Sequence, residues 1–197
     1  MSIKWWFTLL ASMLLMTGCD APTFHNTDIS GATYGRTFEL LDPEGKIRHL
    51  DDFRGKAVMV FFGFIQCPDV CPTTLLRARE VHRLLGEQGN RMQVIFITLD
   101  PERDTPEILR EYIAAFGSEF LGLYTTPEKT RAIAEDFRIY YRKVPTGNTY
   151  TLDHTAITYL YDPDGQLRLA ISHQASAEDI AADVAMLLHN HSSAQTP

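Results

Sequence analysis

The sequence predicts an α/β domain: a central mixed β-sheet flanked by helices, with an extra hairpin at its N-terminal end. Three observations predict it. Ala57–Ile65 (AVMVFFGFI) and Gln93–Leu99 (QVIFITL) are continuous apolar runs suited to strands buried on both faces. Segments of helical period follow each of them. A hairpin pattern stands near each end of the chain, and both turn on Asp-Pro-x-Gly.

In chain order, residues 20–35 (DAPTFHNTDISGATYG) are polar, carry Gly and Pro and show no apolar period, so they are expected to form a tether. Arg36–Leu41 and Lys46–Leu50 read as strands around the turn Asp42–Gly45. After the first apolar strand, Pro72–Gly89 places Leu75, Leu76, Ala78, Val81, Leu84 and Leu85 near helical period and ends at glycine. Thr105–Phe116 and Thr126–Phe137 are helices by one logic, with a threonine N-cap and proline at the first helical position. Ile139–Asp153 is an excursion around Pro145–Asn148, expected as a small hairpin. Thr155–Tyr161 and Gln166–Ser172 form the second hairpin about Asp162–Gly165, and Ser176–His189 is a closing helix capped by Ser176. The domain is therefore expected over residues 36–190, with 191–197 a polar tail. This order of elements is that of the thioredoxin superfamily, in which a reactive pair sits where the first central strand ends and a helix begins.

Composition narrows the function. The 197 residues are 45% hydrophobic and 22% charged, an ordinary globular mixture. A net charge of −7 argues against general nucleic-acid binding, which needs a positive field to meet phosphates.

The N-terminus reads as an address. Met1–Lys4 supplies a positive start, and Trp5–Gly18 is an apolar run shorter than the roughly 20 residues of a membrane span. Met16-Thr17-Gly18-Cys19 resembles the lipobox of bacterial lipoproteins, with Met16 where leucine is usual. Residues 1–18 are accordingly expected as a lipoprotein signal peptide, Cys19 as the acylated residue opening the tether 19–35, and the domain as facing an oxidising compartment. Asp20 resembles the inner-membrane retention signal of enteric bacteria.

With Cys19 assigned to lipid, Cys67 and Cys71 are the two thiols left for the folded part. A staple across so short a loop adds little stability, so chemistry explains the pair better. Pro72 places Cys71 at or near the N-cap of the following helix, where the helix dipole is expected to lower its pKa and favour thiolate. On a regular helix the two Cβ atoms would sit ~5–6 Å apart, against ~3.5–4.5 Å in a disulfide. The Pro68 loop can fold them closer, so the pair can either bridge or hold one soft ion such as Cu(I) or zinc. In a thioredoxin-like topology the turn entering Thr155–Tyr161 lies beside the cysteine loop. His154 stands there in place of the usual cis-proline, adding a nitrogen ligand suited also to Cu(II), with Asp153 expected to orient the ring.

Three motifs together, Gly55–Leu75 with its Cys67-Pro-Asp-Val-Cys71-Pro core, Leu99–Pro106 (LDPERDTP), and Asp153-His154-Thr155 followed by Tyr159–Gly165, resemble the Sco/SenC family of copper proteins over about residues 30–190. The resemblance implies a membrane-tethered copper chaperone serving the binuclear copper site of cytochrome c oxidase subunit II, by donating copper, by reducing that site's disulfide, or both. It implies Cys67, Cys71 and His154 as copper ligands, the two cysteines as the redox pair, an upstream periplasmic copper donor, and a lipid-anchored place on the periplasmic side of the inner membrane. The Asp100–Pro106 loop is expected as a partner-facing surface with Asp100 near the site.

Other readings remain beside this one. A thiol-disulfide reductase needs the cysteines but not His154. A peroxidase fits less well, because Pro68 stands where peroxiredoxins carry threonine, and no acid or base flanks the site for zinc hydrolysis. His49 and His82 read as surface residues, His173 as the unassigned start of a loop, and His189 and His191 as part of a frayed tail. Phe61, Phe62 and Phe64 read as core. Met59 and Met92 are isolated.

Overall fold

The computed structural model describes residues 23–194. Its main sheet has six strands in the order β1-β10-β9-β4-β5-β6. The parallel centre is β4 (Ala57–Gly63), β5 (Met92–Thr98) and β6 (Phe120–Leu123). Antiparallel to β4 runs β9 (Ile157–Tyr161), followed by β10 (Leu167–Ser172) and β1 (Thr27–Asp28). All seven residues of β4 are buried, as a strand covered on both faces requires. Two further hairpins stand apart from this sheet: β2 (Glu39–Leu41) with β3 (Ile47–His49), and β7 (Tyr141–Thr146) with β8 (Thr149–His154).

The two Asp-Pro-x-Gly turns use one device. Asp42 Oδ1 accepts from the N–H groups of Glu44 and Lys46 while its other oxygen meets Arg48; Asp162 repeats this with Asp164, Gln166 and Arg168. Both carboxylates are buried, and each satisfies a turn that otherwise leaves backbone donors unpaired.

Helices α2 (Pro106–Ala114) and α3 (Pro127–Asp136) begin as expected: Thr105 accepts from Ile108 N–H and Thr126 from Lys129 N–H. Helix α1 spans Val70–Leu85 and is followed by a 3-10 segment, Gly86–Arg91, so the expected single helix 72–89 starts earlier and changes type after Leu85. Pro72 is its third residue, where the missing N–H costs no helical bond.

Two expectations are corrected, and one strand has no readable signal in the sequence. Strand β6 lies in FLGL, four residues too short to show a period. Helix α4 (Ala177–Ala194) runs five residues past His189, so 191–194 are helical rather than tail, and His191 Nδ1 lies 3.3 Å from Asp164. The expected tether folds onto the domain over its described part: β1 pairs with β10, and fully buried Asp183 accepts from the N–H groups of His25 and Asn26. His154, at the position expected in place of a cis-proline, ends β8, and no peptide bond among the described residues is cis. The signal segment 1–18, Cys19 and residues 20–22 lie outside the described residues. Among those described, no helix is long and apolar enough to cross a membrane.

Candidate dithiol and imidazole site

β4 ends at Gly63, and the chain passes through Phe64 and Ile65 into the loop that carries Cys67. Cys71 follows on the first turn of α1 and is fully buried, whereas Cys67 is half-buried. Both thiols are free. The Cys71 N–H donates to Cys67 Sγ at 3.4 Å, so the helix start wraps the loop sulfur with a donor. Gly63 makes room for this: a Cβ there would stand 2.9 Å from Cys71 Sγ and from carbons of the Phe61 and Phe96 rings.

His154 arrives from the other side, on the last residue of β8. Its Nε2 lies 3.9 Å from Cys71 Sγ. Its Nδ1 is 3.0 Å from the Thr155 carbonyl, an acceptor, so the proton sits on Nδ1 and the Nε2 lone pair faces the sulfur. The edges of the Phe61 and Phe64 rings hold the imidazole, with centroids 6.4 and 6.0 Å away. Asp153 does not orient the ring as expected; its exposed carboxylate pairs with Arg142. Strand alternation sends neighbouring side chains to opposite faces, which is why Asp153 points away.

The electrostatics reverse the expected roles of the cysteines. Cys67, not Cys71, carries the low pKa: the Cys71 thiol donates to its sulfur, with the backbone N–H groups of Cys71 and Asp69 smaller causes, and together they draw it down to about 4 against burial. Cys71 is pushed up, first because its proton is held between the two sulfurs and then by burial. The helix dipole favours charge on Cys71, but the hydrogen bond to Cys67 and then burial outweigh it.

Two soft sulfurs and one imidazole lone pair form a donor set for a soft ion. With bonds of about 2.3 Å to sulfur and 2.0 Å to nitrogen, two ligands of one ion lie roughly 3.5–4 Å apart, and Cys71 and His154 already stand so. Among the described residues no group of three or more His, Cys, Asp or Glu forms a ready metal cage. A cleft of about 200 Å³ opens here, rimmed by Phe64, Pro68, Val70 and Ala156. A larger cleft of about 530 Å³, between Leu99–Glu102 and Ile139–Lys143, contains none of the three residues.

The Leu99–Pro106 loop lies behind the site. Asp100 is 1% exposed, so it takes no part in the partner-facing surface expected of this loop. Asp104, also buried, accepts from Thr98 Oγ1 at 2.6 Å and from Ile65 N–H at 3.1 Å, tying β5 to the cysteine loop. Burial raises its pKa to about 6. Sequence reasoning singled out this loop but missed Asp104, Gly63 and the Thr155 carbonyl. The Asp-x-x-x-Asp spacing was the available signal for the first; nothing in sequence marks the last. Of the remaining histidines, His82 lies 3.9 Å from Glu119, and neither it nor His49 reaches the site.

A sheet of this order, with a dithiol where its central strand gives way to a helix and an imidazole brought against it by a hairpin, defines a thioredoxin-like domain. The SCO1/SenC family model matches residues 26–189, and the chain belongs to that family. The chain is 36% identical over 149 residues to an SCO2-like protein of Rickettsia prowazekii, covering 74% of this chain and 73% of that one; for the Rickettsia felis counterpart the share of the relative's length is 66%. The copper-bound structure of Bradyrhizobium japonicum ScoI superposes with a TM-score of 0.71 at 38% identity, covering 79% of this chain and 99% of the other. Apo Sco1 of Thermus thermophilus gives 0.72 at 37% identity over 86% and 97%.

Proposed function

We propose that this protein is a copper metallochaperone that holds one copper ion through Cys67, Cys71 and His154 and passes it to the binuclear copper site of cytochrome c oxidase subunit II. The observation that carries the reading is the approach of His154 Nε2 to Cys71 Sγ at ligand spacing, with Nδ1 already committed to a carbonyl. Membership of the SCO1/SenC family and the likeness to a copper-bound ScoI support it. Copper here is cargo. Cys67, the more accessible thiol, faces the cleft where a partner's thiolates enter, and transfer proceeds by exchange of one sulfur ligand for another. Cys19, once acylated, holds the domain at the periplasmic face of the inner membrane, where an upstream periplasmic donor supplies the copper.

One observation favours a second reading, thiol-disulfide reduction. A half-exposed thiolate at Cys67 beside a protonated, buried Cys71 is the arrangement of an attacking and a resolving thiol. Cys67 sulfur attacks a partner disulfide and expels one partner thiolate. Cys71, giving up its proton, then attacks Cys67, forming the Cys67–Cys71 bond and releasing the second partner thiol.

Copper stoichiometry and visible absorption of the reduced protein, beside His154→Ala and Cys67→Ser/Cys71→Ser, separate the readings. One copper per chain, with a thiolate-to-Cu(II) band weakened by His154→Ala, is the chaperone result. Absence of stoichiometric copper, or a His154→Ala variant like wild type, makes the reductase reading the better one.

A further inference from the structure

The β7–β8 hairpin that carries His154 forms a sheet of its own, outside the six-stranded sheet. Its inward face presents Tyr150, Leu152 and His154 at alternate positions. Leu152 is buried. At Tyr150 the arm is gripped by one side chain of the loop behind the site. Arg103 Nη1 donates to the Tyr150 carbonyl at 2.8 Å, to Gln66 Oε1 at 3.0 Å and to Thr149 Oγ1 at 3.4 Å. Its guanidinium lies 3.7 Å from the centroid of the Tyr150 ring, and its Nε donates to Asp100. Asp100 closes the circuit by accepting from Tyr150 Oη at 2.8 Å.

The placement is informative. Gln66 precedes Cys67, and Tyr150 stands on the same face of the arm as His154, so a single guanidinium nitrogen touches the two chain segments that bring sulfur and imidazole together. A planar, forked donor with fixed geometry suits such bridging; an ammonium cannot reproduce it.

We propose that Arg103 is the positioning residue of the site, a clasp that seats His154 against the cysteine pair and whose release lets the arm, and with it the nitrogen ligand, withdraw. The inference rests on the three-ligand copper reading above. Groups that fix metal ligands from behind are worth about 10–100-fold in affinity, and Arg103 acts on the ligand's whole supporting strand.

The test uses the full-length reduced chain with copper as the probe: Cu(I) affinity by competition with a chromophoric chelator, and the Cu(II) absorption spectrum. Arg103→Ala is expected to weaken Cu(I) binding roughly 10–100-fold and to move the Cu(II) spectrum toward that of His154→Ala. Arg103→Lys, which keeps the charge and loses the fork, shifts both in the same direction and carries the test if the alanine variant does not fold. In a His154→Ala background either change has no further effect, because the residue acts through His154. Wild-type affinity and spectrum in folded Arg103 variants overturn the proposal, as does an equal loss with and without His154. If His154→Ala itself binds copper like wild type, the copper-site reading fails and the clasp with it.

Discussion

Cys71 Sγ and His154 Nε2 lie 3.9 Å apart although 83 positions separate the two residues in the chain. The approach is built from two separate segments that meet over Phe61 and Gly63 at the end of β4. Cys71 sits over Gly63, which has no side chain to hold the sulfur off, and His154 is tied through Nδ1 to the next residue's carbonyl.

Gly63→Ala tests the sulfur side. The added methyl would meet Cys71 Sγ and two aromatic rings at 2.9 Å, contacts closer than real Cβ atoms make. With β4 buried on both faces, overpacking of this kind costs about 1–3 kcal/mol. The expected result is a lower urea midpoint together with a weakened Cu(II) charge-transfer band. A variant with wild-type midpoint and band shows that the strand yields and that Gly63 does not set the sulfur's place.

Thiol reactivity tests the assignment of charge. With its pKa drawn down to about 4 by the Cys71 thiol, Cys67 is thiolate throughout the range from pH 5 to 8. Its alkylation by iodoacetamide is therefore expected to vary little with pH there, while Cys71 stays unmodified in the folded protein. In Cys71→Ala the largest cause of the depression is gone, and the rate at Cys67 climbs with pH as for an ordinary thiol. Peptide mapping after timed alkylation reads both residues; a steep wild-type profile contradicts the assignment.

Much of this was legible from local patterns. Buried strands β4 and β5, two threonine-capped helices and both Asp-Pro-x-Gly hairpins announce themselves in short stretches, because caps and turns depend on near neighbours. Cys67, Cys71 and His154 were legible as chemistry, since their residue types and places at element ends suit a soft-metal site. What stayed hidden depends on long-range packing. Phe24 to Asp28 reads as polar linker until the buried carboxylate of Asp183, some 157 positions away, is seen to accept from Asn26. The reversal of the two thiol pKa values follows first from the hydrogen bond that Cys71 donates to Cys67 and then from the burial of Cys71, neither of which a local pattern reports. Asp100 likewise looks like a surface acid until Tyr150 closes over it.

The Asp183 clamp yields a prediction of its own. Its two oxygens take the N–H groups of His25 and Asn26 and the Asn26 side-chain amide at 2.8–2.9 Å. Removing the acceptor leaves these donors without it, at about 1–3 kcal/mol for a buried group. Asp183→Ala is expected to destabilise the domain by that order and to open residues 24–35 to limited proteolysis, with copper binding retained. Undiminished protection of this segment would show that β1 pairing alone holds it.

Asp104 gives the pH dependence of stability. Burial raises its folded-state pKa to about 6, above the ordinary 3.8, so the folded protein holds this proton more tightly than the unfolded chain does. The contribution is complete below pH 3.8 and is lost as pH rises through about 6; a shift of this size is worth up to about 3 kcal/mol. Asp104→Asn remains neutral, and its amide oxygen can still accept from Thr98 Oγ1 and Ile65 N–H. The difference in urea midpoint, variant minus wild type, should therefore increase between pH 4 and 7. Flanking charges bear on the size but not the sign: Asp100 raises the pKa further and Arg103 opposes it. A difference independent of pH would mean that Asp104 ionises in the folded protein as readily as in the unfolded one, and that the tie between β5 and the cysteine loop is made by a carboxylate at no cost.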